Sequence, residues 1–191
     1  MEILIVLSAL IFIVYKSFII VKHHEVVIIE RFGIYHRTLK PGLNIIFLFI
    51  DKIKAHIDLR EHVANLQSQY LTTKDNIVFK FDTVVFYQIT DAKRAVYEIE
   101  DLLSGIKYVT SCTTRDVISE MEFDKILNSQ DYVTKQLRMI LDDAVYNWGC
   151  KINRVELKEI VPSDDNSKNE QSYRYSTFLK RQLNREMLSV F

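Results

Sequence analysis

The chain has 191 residues, of which 25 are basic, 25 are acidic, 48% are hydrophobic, four are glycine and two are proline. This length suits one folded domain with an appendage, and the composition is not that of a disordered chain. The balanced charge gives no electrostatic reason to expect a nucleic-acid partner, and it leaves little repulsion to oppose self-association. The first 21 residues hold one acid, Glu2, and one base, Lys16, so the remainder is balanced as well.

The N-terminal segment from Ile3 to Val21 is apolar apart from Lys16. As a helix it would be about 28 Å long, close to the ~30 Å core of a bilayer. A cleaved signal peptide would begin with basic residues and end at small ones, and neither feature is present. A helix that is apolar on every face is rare in the core of so small a protein. The sequence therefore predicts a single transmembrane helix, residues 1–21, that stays on the chain.

Five basic residues lie near the C-terminal end of this anchor or shortly after it, and none precedes it: Lys16, Lys22, Arg31, Arg37 and Lys40. The positive-inside rule then predicts that the body of the protein is cytoplasmic. The two cysteines, Cys112 and Cys150, either pair or remain thiols, and their number and spacing fit both arrangements.

The body begins with β-type sequence. Residues Glu25 to Phe32 are β-branched and are bounded by Gly33, which predicts a strand, and Leu39 to Leu43 is a turn signal. The next six apolar residues are too few to span a bilayer. They are either a buried strand, which is the favoured interpretation, or a loop that dips into the lipid surface. The candidate membrane-contact residues are Ile45, Ile46, Phe47, Leu48, Phe49 and Ile50.

Two further strands are predicted before any helix. Alternating apolar residues indicate a half-buried strand at Ile53 to Leu59. A long strand from Ile77 to Ile89 should place its odd-numbered residues on one face. This much β-structure at the start favours an antiparallel sheet over βαβ units.

The period then changes to that of helices. Asp91 is predicted to cap a short helix ending at Glu98. Helices follow at Leu102 to Met121 and at Ser129 to Trp148, the second with Gly149 just after its end. A last strand runs from Lys151 to Val161. The prediction is an α+β domain, residues 22–162, with an antiparallel sheet and helices packed on one side.

The C-terminal segment, residues 163–191, starts with a polar linker and ends with an amphipathic pattern. So short a helix needs something to pack on. Its apolar residues recur at intervals of four and are the candidate partner-binding residues: Leu179, Leu183, Met187 and Phe191.

The sequence offers little for catalysis. It has no Walker loop, GxSxG, HExxH or GxGxxG motif, and no two histidines lie four apart on a helix. Ser104 and Lys107 fit the S-x-x-K pattern of a lysine-activated serine, but a chain with this serine and lysine content should hold about one such match by chance. We therefore predict no cofactor, no metal and no enzyme activity.

A series of short motifs gives the chain a family resemblance. In order they are Glu30-Arg-Phe-Gly33, Pro41-Gly-Leu43, Phe49-Ile-Asp51, Thr73-Lys-Asp-Asn76, Asp91-Ala-Lys-Arg-Ala-Val-Tyr97, Trp148-Gly149 and Arg154-Val-Glu-Leu-Lys-Glu-Ile160. This succession, over residues 22–162, resembles the SPFH or Band 7 domain of stomatins, prohibitins, flotillins and HflK/C. It is most similar to the stomatin-like paraslipin branch.

The resemblance implies a non-enzymatic scaffold that is anchored in a membrane. Members of the family oligomerise on membranes, confine lipid and membrane proteins, and commonly regulate membrane proteases or channels. They often touch the bilayer at the position of residues 45–50. The implied partners are membrane lipid, further copies of the chain, and a membrane protease or channel.

The sequence departs from the family pattern at two places. Leu48 stands where relatives usually have a proline, so the local turn is expected to differ. Relatives also continue into a long coiled-coil helix, whereas this sequence enters a polar linker after Pro162. We therefore expect a small oligomer, or co-assembly with longer relatives, rather than a closed cage.

Two other functions compete with the scaffold. The chain is an adaptor for one membrane protease or channel if the C-terminal helix is a docking element. It is a membrane-tethered serine hydrolase if Ser104 and Lys107 form a catalytic pair.

Overall fold

The computed structural model describes residues 15–47 and 49–162, with side chains up to Lys158. The described residues form nine strands and four helices. The strands are β1 (Phe18–Val21), β2 (Glu25–Arg31), β3 (Ile34–Leu39), β4 (Gly42–Ile45), β5 (Asp51–Asp58), β6 (Glu61–Asn65), β7 (Gln69–Thr72), β8 (Val78–Ile89) and β9 (Cys150–Pro162). The helices are α1 (Ala92–Tyr97), α2 (Leu102–Ser119), α3 (Phe123–Asn128) and α4 (Gln130–Tyr146).

The strands form three sheets. Two strands, β1 and β4, make an antiparallel pair, and β3-β2-β5 make an antiparallel sheet of three. The third sheet has the order β6-β8-β7, with β9 also paired to β8. The predicted α+β class is confirmed. The prediction of a single sheet is wrong, because the N-terminal strands pair among themselves.

The chain divides into two compact units. Of the described residues, the first unit holds those from Tyr15 to Ala64, Phe86–Ile106 and Leu141–Asn153, and the second holds Asn65–Val85, Lys107–Ile140 and those from Arg154 to Pro162. In the first unit, the two faces of β2 contribute to separate apolar clusters. One contains Val27 and Ile29, and the other contains Val26 and Ile28.

The second unit is built on the first part of β8. Phe79 and Phe81 are almost completely buried, and the Phe79 ring packs edge-on against Phe123 at 5.4 Å between ring centroids. Across the whole of β8, the odd-numbered residues from 79 to 87 are buried. This confirms the face that the two-residue period predicted.

The predicted β2, β5, β8, β9, α1, α2 and α4 are all present, with ends shifted by one or two residues in most cases. Asp91 caps α1 as expected, since its carboxylate accepts hydrogen bonds from the backbone N–H groups of Lys93 and Arg94 at 3.0 and 3.2 Å. The sequence did not predict the short strands or α3. A strand of four residues offers too few alternations for its period to be read.

The predicted membrane helix is wrong at its C-terminal end. Residues Phe18–Val21 are strand β1, because the β-branched Ile19, Ile20 and Val21 pair with β4. Of the rest of the predicted span, Tyr15 and Lys16 are helical and Ser17 lies in a turn, and Ile3 to Val14 lie outside the described residues. Within residues 15–47 and 49–162, no helix has the length and apolar content to cross a membrane.

The favoured interpretation of residues 45–50 as a buried strand is also wrong. Only Ile45 belongs to a strand, β4, and the backbone then turns before Asp51. Ile46 is buried, whereas Phe47, Phe49 and Ile50 are exposed, and Leu48 is not described. The segment is a loop after Ile45, as the alternative interpretation of a loop at the lipid surface requires. The candidate partner residues Leu179, Leu183, Met187 and Phe191 lie outside the described residues.

Candidate membrane-contact surface

The two-stranded sheet β1-β4 carries an apolar face that nothing in the described protein covers. Because side chains alternate along a strand, Ile19 and Val21 point into the core of the first unit, and their neighbours point outward. The outward residues form cross-strand pairs, Phe18 with Ile45 and Ile20 with Leu43. They are 45–79% exposed, and Tyr15 and Lys16 extend the same face around an open hollow of about 500 Å³.

A tight turn continues this apolar face beyond β4. The backbone N–H of Asp51 donates to the carbonyl of Phe47 at 2.8 Å, and the Asp51 carboxylate accepts from the Phe47 N–H at 3.0 Å. These two hydrogen bonds join Phe47 to Asp51, and Phe47 and Phe49 have 59% and 84% of their surface exposed. We call the exposed residues of this turn and of the β1-β4 face, together with Tyr15, the apolar surface: Tyr15, Phe18, Ile20, Leu43, Ile45, Phe47, Phe49 and Ile50.

Asp51 forms an ion pair with Arg31. The Arg31 guanidinium donates to the buried Asp51 carboxylate at 2.9 Å and lies 5.7 Å from the centre of the Phe47 ring. The hydrogen bond from Arg31 lowers the pKa of Asp51 below its ordinary value, although burial acts in the opposite direction. Asp51 is therefore charged at neutral pH, and the turn keeps the ion pair that orders it.

The N-terminal segment joins the domain beside this turn. The carbonyl of Ser17 accepts a hydrogen bond from the backbone N–H of Ile46 at 2.9 Å, and Arg37 donates to the carbonyl of Ile45 at 2.5 Å. The first described residues, Tyr15 to Ser17, therefore lie beside the position at which the apolar turn begins.

The basic residues of the N-terminal part lie at both ends of its strands. Arg31 pairs with Asp51 at the end that carries the apolar turn. At the other end, Lys22 forms an ion pair with Glu25 at 3.3 Å in the turn after β1. The β3–β4 turn, which holds Lys40, lies beside it, because Val21 is paired with Gly42. The basic residues that lie near the predicted anchor in the sequence are therefore divided between two ends of the first unit.

The helix motif Asp91 to Tyr97 has a structural role in the first unit. The Tyr97 hydroxyl donates to the buried Glu30 carboxylate at 2.8 Å, and Lys54 pairs with the same oxygen at 3.5 Å. Burial, and then the bond to Glu30, raise the pKa of Tyr97 to about 12, so the phenol stays protonated and keeps donating. These contacts hold α1 against β2.

The candidate catalytic serine is part of a helix cap. The Ser104 hydroxyl donates to the Asp101 carboxylate at 2.7 Å, and the same carboxylate accepts from the Ser104 backbone N–H at 3.1 Å. This is the hydrogen bonding of a helix N-terminus, and both residues are exposed. Among the described residues, no group of three or more histidine, cysteine or acidic side chains is arranged to hold a metal.

Both cysteines are free thiols. Cys150 is buried, and burial raises the pKa of its thiol to about 11, so it is protonated and unreactive at neutral pH.

The chain matches the model of a family described as SPFH domain / Band 7 family over residues 19–176. The chain belongs to the SPFH/Band 7 family. The match includes β1 and every later element of the described fold. The resemblance inferred from the motifs is therefore confirmed.

Relatives of this SPFH protein occur in bacteria and archaea. An uncharacterized protein of Mycobacterium tuberculosis is 40% identical over 152 residues, covering 80% of this chain and 40% of that protein. An uncharacterized protein of Methanocaldococcus jannaschii is 40% identical over 154 residues, covering 81% and 77%. A stomatin homolog of Pyrococcus horikoshii is 31% identical over 141 residues, covering 74% and 53%. The chain thus spans less than half of the mycobacterial relative.

Half of the apolar surface was not recognisable in the sequence. The residues of the turn stand out as an unbroken apolar run, but the pattern around Phe18 and Ile20 predicted a helix, and that around Leu43 predicted a turn. The Pro41-Gly42 dipeptide could have indicated this pairing, since a turn at that position allows the segments on either side to form paired strands.

Proposed function

We propose that this SPFH protein is a non-enzymatic scaffold whose first unit lies against a lipid bilayer through the apolar surface. In this role it associates with other copies, or with longer relatives, and organises membrane proteins such as proteases or channels together with local lipid. Membership in a family that includes stomatin homologs supports a scaffold role in general.

One observation carries the proposal, namely the hydrogen bond between Ser17 and Ile46. It puts the end of the apolar N-terminal segment next to exposed Phe47 and Phe49. If residues 3–17 are anchored in lipid, the turn cannot be more than a few ångströms from the bilayer surface. Exposed aromatic residues at such a position gain free energy by entering the boundary between headgroups and acyl chains.

Planar confinement makes the second part of the proposal physically reasonable. A domain held at a surface diffuses in two dimensions, so its effective concentration toward its neighbours is high. Weak lateral contacts are then sufficient for assembly, and zero net charge offers little repulsion against them. The body is proposed to be cytoplasmic, as the charge distribution around the N-terminal segment predicts.

The membrane contact can be tested separately from the N-terminal segment. A chain that starts at Ser17 keeps the carbonyl that Ile46 requires, and we expect it still to float with phospholipid vesicles. Replacing Phe49→Ser should lower its partition into vesicles about tenfold, which is the effect of one aromatic side chain leaving an apolar environment.

The matched control is Tyr70→Ser. Tyr70 is an aromatic residue on β7 with 68% of its surface exposed, and it is not part of the apolar surface. Its replacement should leave partition unchanged. If the chain from Ser17 remains entirely in the aqueous fraction while its circular dichroism shows a folded domain, the apolar surface does not bind lipid.

A further inference from the structure

The turn between β2 and β3 contains a residue that does not suit its backbone. Phe32 and Gly33 are the whole turn, since Arg31 and Ile34 on either side are paired. Their φ angles are +52° and +79°, the pattern of a type I′ turn, in which Asn-Gly is the favoured sequence. A bulky side chain at positive φ is uncommon because its Cβ approaches the backbone too closely.

Packing among the described residues covers little of the Phe32 side chain, so it offsets little of this backbone strain. It is 82% exposed, and Ile34, the next residue but one, is 72% exposed. Asn at this position would relieve the backbone and remove an apolar ring from water. A strained backbone combined with an exposed apolar ring suggests a role outside the fold.

The Phe32 turn and the Phe47–Asp51 turn project from the same end of the sheet. Arg31 is the register partner of Asp51 across β2 and β5, so the turn that follows Arg31 and the turn that precedes Asp51 are neighbours. Through Ser17 and Ile46, the N-terminal segment joins the domain at this end as well.

We propose that Phe32 is a second membrane-inserting residue, which enters the headgroup–acyl boundary of the bilayer beside Phe49. The inference rests on the proposed function, because it requires a bilayer at this end of the sheet. Residues 3–14 are apolar in sequence, and the described chain that follows them starts at this end of the sheet, which favours lipid as the occupant. Arg31 and Lys52 both reach solvent beside the turn, where they would meet lipid phosphates. Phe32 would thus add a second inserted turn to the contact that the apolar surface makes.

The test places tryptophan at single positions in the full chain, reconstituted in phosphatidylcholine–phosphatidylglycerol vesicles with brominated acyl chains. Phe32→Trp examines the inference, and Phe49→Trp examines the proposed function. Lys40→Trp is the matched control, since Lys40 is exposed and follows β3 at the end opposite to Gly33. The wild-type signal of Trp148 is subtracted.

We expect bromine to quench Phe32→Trp and Phe49→Trp at least about twofold more than Lys40→Trp, since interfacial side chains enter the bilayer by about 5–10 Å. Quenching of Phe49→Trp alone would overturn the inference and leave the proposed function intact. No quenching at either position would overturn both. Protection of Phe32→Trp from aqueous quenchers without bromine quenching would assign the residue to a contact with a second copy.

A second variant separates insertion from a role in folding. Phe32→Asn places a favoured residue in the turn, so the thermal midpoint in detergent should stay the same or rise. A lower midpoint would mean that Phe32 stabilises the fold, and it would overturn the inference.

Discussion

At the scale of single residues, the Trp148-Gly149 motif is explained by backbone geometry. The Gly149 carbonyl accepts hydrogen bonds from the backbone N–H groups of Thr90 and Asp91, both at 2.9 Å, and Gly149 has a φ angle of +69°. A Cβ atom at this position would be 2.5 Å from the Asp91 carbonyl oxygen. The motif therefore joins the end of α4 to the cap of α1, and glycine is the residue that fits.

Gly149→Ala should accordingly destabilise the domain by about 3 kcal/mol, through the clash together with the cost of positive φ. Gly33→Ala is the matched control, because Gly33 also has positive φ (+79°) but has nothing within 4 Å of its missing Cβ. It should cost only about 1 kcal/mol. Urea unfolding of both variants measures the difference, and equal losses would show that the close approach to Asp91 does not matter.

At the scale of elements, α3 shows how a helix start can be supplied from elsewhere in the chain. Its N-cap residue, Glu122, makes no side-chain capping bond. The Asp75 carboxylate instead accepts from the backbone N–H of Phe123 at 3.2 Å, and the Thr73 hydroxyl donates to the same carboxylate oxygen. The motif Thr73 to Asn76 is thus a turn that caps a helix 48 residues later.

Asp75→Ala should therefore destabilise the second unit by about 1 kcal/mol, the usual cost of a lost N-cap. Asp75→Asn keeps an oxygen acceptor in the same place and should be close to the wild type. Hydrogen exchange of the Phe123 amide reports the bond directly. Exchange that is equally slow in Asp75→Ala and in the wild type would contradict this assignment.

The N-terminal elements show the limit of a hydropathy argument. Phe18–Val21 is as apolar as a membrane helix, yet it is a strand whose two faces differ. A run that is apolar throughout carries no period, so helix and strand look the same in the sequence. The partner strand β4 decides between them.

At the scale of the whole molecule, the scaffold proposal concerns association. We expect the full chain, extracted in mild detergent at micromolar concentration, to have the mass of an oligomer by light scattering. Removing residues 163–191 tests whether the predicted amphipathic segment contributes to that mass. A mass that is strictly monomeric for the full chain would contradict the scaffold role and would favour an adaptor that binds one partner.

The sequence by itself determined the α+β class, the long elements and the family. Long elements repeat their period often enough to be recognised, and the spacing of several weak motifs is specific when they occur in order. The apolar residues 45–50 were identified from their composition, but the favoured prediction for their backbone, a buried strand, was wrong.

Only the tertiary structure decided which apolar residues face outward. Phe18, Ile20 and Phe32 look like core residues in the sequence, because their neighbours are equally apolar. The exposure of Phe18 and Ile20 depends on the pairing of β1 with β4, which joins residues more than 20 positions apart, and that of Phe32 depends on the β2–β3 hairpin. The distant contacts are not visible in local sequence, and they bring the first described residues, the Phe18–Ile45 pair and two turns to one end of the first unit.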